Sequence, residues 1–409
     1  MRKPEILAPA GNLEKLKTAI DYGADAVYLG GSKLNLRAFA DNFTNKEMAE
    51  GVKYAHDRGR KVYVTMNVYP HNSDLIGIED YLRELYKLNV DAILVADPSI
   101  LVIAKEVVPN LEIHLSTQAN NVNWRSAKFW HDLGVKRIVL ARELSLKEIR
   151  EIREKLPESC DLEAFVHGAM CVSYSGRCLL SNYMIGRDSN RGACAQPCRF
   201  NYYLVEEKRP GEYYQIKEDE HGSYIMNSKD LCMVDHLPDL IDAGVDSLKI
   251  EGRMKAALYV AVTARTYRKA LDDYKKDPAV YEANLDWYKE EIAKCTIRSF
   301  STGFYYGKPD ESSQIYDNNT YQQSYIYLGI CGDVREDGTF FLEQKNKFSV
   351  GETIEILKPN GENVETKVLE IIDEFGRTQE SAPHAKQPLY VKLDVVPNKY
   401  EILRKRAES

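Results

Sequence analysis

Gly23-Ala-Asp-Ala-Val-Tyr-Leu-Gly30 sets the pattern for most of the chain. A glycine closes a helical stretch, a short turn carries an aspartate, and a brief apolar run follows. The phrase returns ahead of later apolar runs as Asn89-Val-Asp91, Gly134-Val-Lys136 and Gly244-Val-Asp246. Reading outward from it gives eight short strands: 5–10, 25–30, 61–67, 91–97, 112–118, 137–142, 162–167 and 246–251. Helical patterns lie between most of them, among them 13–22, 45–57 and 78–88, the first with Asn12 as its N-cap. Strands separated by helices run parallel. Eight such units close most simply into a (β/α)8 TIM-like barrel. The alternative, an open doubly wound sheet, lacks its glycine-rich nucleotide fingerprint after the first strand.

The texture changes towards the C-terminus. Residues 200–223 alternate around Pro210-Gly211 and read as a β-hairpin inserted before the last barrel unit. A long helix starts at Ala256, and residues 309–323 are polar and read as a linker. From Ser324 short strands are split by Gly, Asn and Pro turns, the signature of a small all-β barrel. The expected domains are therefore 1–308, a barrel with a Cys-rich insertion at about 171–234, and 324–409. With 409 residues there is ample chain for two cores.

At 44% hydrophobic and 29% charged residues, the composition is that of an ordinary globular protein. No apolar run approaches a membrane span, and no apolar segment of a signal peptide follows Met1, so the expected location is the cytoplasm, with no membrane partner. The net charge of −7 argues against a surface that coats RNA, while leaving room for local basic patches. One runs from Cys171 to Arg209, with six basic residues against three acidic.

Five of the eight cysteines gather in one region: Cys171, Cys178, Cys194, Cys198 and Cys232. Thiolates are soft ligands for zinc or iron–sulfur clusters. Structural zinc sites favour paired knuckles, and only Cys194 and Cys198 approach one. Wide spacing around glycine loops suits an iron–sulfur cluster. In a barrel this segment follows strand seven and falls at the C-terminal, catalytic face.

The run Glu163-Ala-Phe-Val-His-Gly-Ala-Met-Cys171, continued by Gly176-Arg-Cys178-Leu-Leu-Ser181, resembles the signature of peptidase family U32. Supporting phrases are Pro-Ala-Gly-Asn from Pro9, Gly-Ala-Asp-Ala-Val-Tyr from Gly23 and Lys-Ile-Glu-Gly-Arg from Lys249. The resemblance spans nearly the whole chain. It implies a TIM-like barrel and one of two activities. The first is collagenase-like peptidase activity, from which the family took its name. The second is oxygen-independent hydroxylation, of a tRNA wobble uridine with prephenate, of ribosomal RNA, or of ubiquinone precursors. It also implies a [4Fe-4S] cluster, with ligands falling on Cys171, Cys178, Cys194 and Cys232. Cys198 is a surplus thiol and an alternative to Cys194.

The remaining candidates end barrel strands. A carboxylated co-substrate calls for forked cationic donors, which Arg37, Arg142 and Arg253 supply, unless acids such as Glu143 or Glu251 take them instead. Asn67 and Gln118 are further candidates to line the pocket, as is Asp97. His167, with Glu163 and Glu251, makes up the candidate catalytic set. A peptidase would need an activated nucleophile. The hydrolase phrases H-E-x-x-H and G-x-S-x-G are missing, and a Cys171–His167 pair would compete with cluster ligation for the same sulfur. A third reading is a non-catalytic barrel that binds RNA or a paralogous partner subunit. The expectation is an enzyme that hydroxylates the wobble uridine of tRNA with a [4Fe-4S] cluster, prephenate and tRNA as its partners.

Overall fold

The computed structural model of the chain describes residues 4–34, 42–171, 173–174, 177–199, 203–204, 214–215, 229–295, 299–308 and 324–407. They divide into two compact units. The first holds residues 1–20, 24–255 and 298–320; the second holds 21–23, 256–297 and 321–409.

In the first unit the strands and helices alternate as β1 (Glu5–Pro9), α1 (Leu13–Asp21), β2 (Ala26–Gly30), α2 (Asn45–His56), β3 (Lys61–Met66), α3 (Ile78–Lys87), β4 (Ala92–Val95), α4 (Pro98–Val107), β5 (Glu112–Leu115), α5 (Trp124–Asp132), β6 (Arg137–Val139), α6 (Leu146–Lys155) and β7 (Asp161–Gly168). Then come α7 (Leu180–Ile185), the paired β8 (Tyr203–Leu204) and β9 (Tyr214–Gln215), β10 (Asp230–Cys232), α8 (Leu237–Asp242) and β11 (Ser247–Ile250). Strands β1 to β7 pair in order and in parallel, and β11 pairs in parallel with both β1 and β7. That double pairing closes the barrel expected from the eight apolar runs.

The helices start and face as their sequences dictate. Thr44 with Glu47 and Ser145 with Glu148 form capping boxes that satisfy the first N–H groups of α2 and α6. On α3, Ile78, Tyr81, Leu82 and Leu85 are buried, the spacing of one helical face. Asp97, expected to line the pocket, instead caps α4 by accepting from Ser99 N at 2.9 Å.

Two further strands extend the sheet at β7. Strand β10 runs antiparallel to it, pairing Leu231 with Gly168 and Cys232 with His167. Beyond β10 lies the parallel β12 (Phe300–Ser301). In the inserted segment, β8 and β9 pair antiparallel, Tyr203 with Gln215. The linker at 309–323 lies outside the described residues.

The second unit is an antiparallel barrel. Its strands β13 (Tyr325–Val334), β14 (Phe340–Glu343), β15 (Phe348–Ser349), β16 (Thr353–Leu357), β17 (Asn363–Asp373), β18 (Thr378–Gln379), β19 (Ser381–Ala382), β20 (Pro388–Leu393) and β21 (Ile402–Arg406) include a seven-stranded sheet closed by the pairing of β16 with β17. Phe340, Leu342, Phe348, Val391 and Leu403 fill it. Helix α9 (Ala257–Lys276), with α10 (Pro278–Ala283) and α11 (Leu285–Ala293), belongs to this unit. Ala257, Leu258, Ala261 and Val262 of α9 share a core with Leu357 and Ile402, where Tyr22 donates to Leu357 O at 2.6 Å and accepts from Ile402 N. Glu291 of α11 is 1% exposed and holds Arg265 at 2.6 Å and Arg404 at 2.8 Å. Burial opposes its ionisation, but the two guanidinium groups and Lys294 outweigh burial and hold the carboxyl at about 2.

Candidate functional site

Parallel barrel strands deliver their C-terminal residues to one face, and most of the candidates arrive there. Arg253, just past β11, is 4% exposed. Its guanidinium donates to Thr65 Oγ1 at 3.4 Å and to Asn42 Oδ1 at 3.2 Å. Two glycines make room for it. A β-carbon at Gly11 would lie 2.2 Å from the Arg253 carbonyl oxygen, and one at Gly30 would lie 2.3 Å from Nη2. Glu251 Oε2 accepts from Tyr28 Oη at 3.2 Å, and its N–H donates to His167 O at 2.8 Å.

Arg142, past β6, stacks over Phe165 with its guanidinium carbon 4.0 Å from the ring centre. Its Nη1 donates to Ala169 O at 2.8 Å and lies 3.8 Å from Cys171 Sγ. A cation therefore stands beside the first thiol of the Cys-rich segment. Arg37 lies outside the described residues.

His167 is 1% exposed, with Phe300 packed at 5.5 Å between ring centres. Burial, with Lys255 adding, pushes its imidazole pKa down to about 3, so the ring is neutral at physiological pH. The burial comes from β10, which pairs with the end of β7, and from Phe300 of β12, which packs on the ring. Glu163 sits deeper, level with Ser247 of β11 and Val139 of β6. It is fully buried and pairs with Lys249 at 2.8 Å and Arg137 at 3.2 Å, and Arg137 also holds Glu5 at 2.6 Å. Burial opposes the charge of Glu163, but Lys249 and Arg137 outweigh it and its pKa is lowered. This carboxylate is committed to an ion-pair layer inside the barrel, below the mouth.

Asn67 and Gln118 meet through one serine. Asn67 Nδ2 donates to Ser116 Oγ at 3.1 Å, and Gln118 N donates to the same oxygen at 3.4 Å. Tyr69 donates its hydroxyl to the Gln118 carbonyl. The guanidinium carbon of Arg177 lies 5.4 Å from the Tyr69 ring centre, which links this group to the residue before Cys178. Sequence reading missed Thr65, Tyr69, Ser116 and Arg177. Each is a polar or aromatic residue at or near a strand end or in the Cys-rich run, the one signal that pointed to them.

No disulfide joins any of the eight cysteines. Cys171 is exposed, Cys178, Cys194 and Cys198 are half-buried, and Cys232 is buried on β10. In kind these thiols suit a soft metal or cluster. In arrangement they are not drawn around a common point: among the described residues no three His, Cys, Asp or Glu side chains stand together as a metal site. Among the described residues, too, no helix is long and apolar enough to cross a membrane.

A closed (β/α)8 barrel, a thiol-rich segment after its seventh strand and an all-β C-terminal unit together define a class of protein. The profile of peptidase family U32 matches residues 11–315, and that of the peptidase family U32 C-terminal domain matches residues 323–404. The chain belongs to peptidase family U32. It is 44% identical over 394 residues to tRNA hydroxylation protein P1 of Bacillus subtilis, covering 96% of this chain and 92% of that one. It is 38% identical over 401 residues to tRNA hydroxylation protein P of Escherichia coli, covering 88% of this chain and 87% of that one. It is also 33% identical over 406 residues to a collagenase of Porphyromonas gingivalis, covering 96% of each.

Proposed function

We propose that this protein is an RNA-modifying enzyme that hydroxylates the wobble uridine of tRNA to 5-hydroxyuridine, with prephenate as the carboxylated co-substrate. The observation that carries the reading is the near full-length likeness to the tRNA hydroxylation proteins, 44% identical over 96% of this chain in the first case. The site supports it in three ways. Arg253 and Arg142 supply forked donors for a carboxylate. The exposed rings of Tyr174 and Tyr183, with Arg177 between them in sequence, offer stacking faces to unpaired bases. In kind, though not gathered around one point, the thiols of Cys171, Cys178, Cys194 and Cys232 are the groups that would hold a [4Fe-4S] cluster, which would supply electron transfer when bound.

The chain's own residues have simple tasks in this reading. Arg253, held by Thr65 and Asn42, orients the co-substrate, and Arg142 does so beside Cys171. His167 stays neutral and shapes the wall of the site. An anticodon nucleotide is already unstacked in its loop, so presenting its base to the mouth costs little.

The test is mass spectrometry of tRNA nucleosides from cells with and without this gene. Loss of a hydroxylated wobble uridine, or of a derivative of it, is the expected result, and starvation for prephenate should mimic it. Identical nucleosides in the two strains, with no paralogue present, would overturn the reading.

A further inference from the structure

Two carboxamides at the mouth have hydrogen-bonding capacity that no described residue uses. Asn67 spends its Nδ2 on Ser116, but its Oδ1 is buried and accepts from no donor among the described residues. Turning that amide round exchanges which atom is satisfied and still leaves one unused. Gln118 Oε1 is likewise buried without a donor. Gln118 enters the network through its backbone alone, giving its N–H to Ser116 and its carbonyl to Tyr69. A sealed carbonyl with no donor is costly. Here there are two, both on residues anchored to the same serine hydroxyl at the ends of β3 and β5.

The chemistry of a partner follows from what is missing. With both amides oriented as described, two oxygens lack donors and call for a ligand that brings N–H or O–H groups. A carboxylate or phosphate brings lone pairs only; the amide oxygens would repel it, and the guanidinium groups of Arg142 and Arg253 suit it better. A carboxamide also sets a donor beside its acceptor, which matches a planar edge where an N–H flanks a carbonyl. The imide edge of uracil is such an edge. Cytosine places an acceptor where uracil has its ring N–H. The cation–ring contact from Tyr69 to Arg177 ties this pair to the Cys-rich segment.

We infer that Asn67 and Gln118 are the base-reading pair of the site, sharing the single ring N–H of a uracil between their two oxygens, with the Gln118 amide donating to the neighbouring carbonyl. The inference rests on the RNA reading above and narrows it to the residues that select the base.

The experiment uses the full-length chain and Gln118→Leu and Asn67→Leu, which replace each amide with an apolar side chain. Binding of unpaired oligouridine and oligocytidine is followed by fluorescence anisotropy at one fixed ionic strength. The wild-type chain should prefer oligouridine by roughly tenfold, the scale of one good bidentate base contact. Each variant should lose about that factor for oligouridine and change little for oligocytidine. Gln118→Leu should leave the thermal midpoint unchanged or higher, because it removes an unpartnered buried oxygen; a purely structural glutamine would lower it. Equal binding of the two oligonucleotides by the wild type, or an intact uridine preference in both variants, overturns the inference alone. Binding of neither oligonucleotide, together with unchanged tRNA nucleosides in a deletion strain, overturns it along with the RNA reading.

Discussion

The guanidinium of Arg253 occupies the space over Gly30 that a β-carbon would need, 2.3 Å from Nη2. The glycine therefore sets where the arginine lies. Gly30→Ala should push Arg253 off Thr65 and Asn42 and mimic Arg253→Ala. Both should weaken prephenate binding by about tenfold or more, the worth of a charge-assisted hydrogen bond, when titrated calorimetrically. Unchanged affinity in both variants would remove Arg253 from the anion site.

Arg142 should distinguish charge from shape. Arg142→Lys keeps the cation but loses the planar fork that reaches Ala169 O while stacking on Phe165. Co-substrate affinity in the lysine variant should stay close to that of Arg142→Ala, with iron retained in both. Full recovery by lysine would show that only the charge matters.

The thiols make a metal prediction. Anaerobically purified protein should carry about four irons per chain if the proposed cubane cluster is present. Cys→Ala at 171, 178, 194 or 232 should each deplete iron, and Cys198→Ala should do so less. Zinc at full occupancy with no iron would reverse the assignment.

Glu163 should prove structural. Glu163→Gln leaves Lys249 without its buried carboxylate partner and Arg137 with one fewer, and removing one member of such a network costs roughly 3–5 kcal/mol. Urea unfolding should register that loss while iron content at low temperature stays intact. A variant as stable as the wild type but inactive would move Glu163 into the chemistry.

Acid should loosen the second unit through Glu291. Its folded carboxyl titrates at about 2, below its ordinary value. The stabilisation it contributes is thus complete above the unfolded pKa, near 4.3, and is lost as pH falls from there through about 2. Amide exchange in β16 and β21 should rise over that window. Glu291→Gln, which takes a shared carboxylate from Arg265 and Arg404, should raise exchange at neutral pH and flatten the acid dependence. An unchanged acid profile in this variant would place the sensitivity elsewhere.

Local order was written in contiguous residues. The eight apolar runs, the helices between them and the change of texture at Ser324 all depend on spacing along the chain, and all of them were legible without coordinates. Family membership was legible for the same reason, since its signature is one continuous run through Cys171. Tertiary structure decided the rest, because the deciding partners are distant in sequence. Arg137 meets Glu5 across 132 positions, and only strand register shows that Glu163 lies below the mouth. Strands of two or three residues carry no period, so β10 and β12, which roof His167, could not be read in advance. The long helix from Ala256 was legible, but not that its apolar positions share a core with Leu357 and Ile402. A hydrophobic pattern states that a face will be buried; which surface buries it depends on the whole fold.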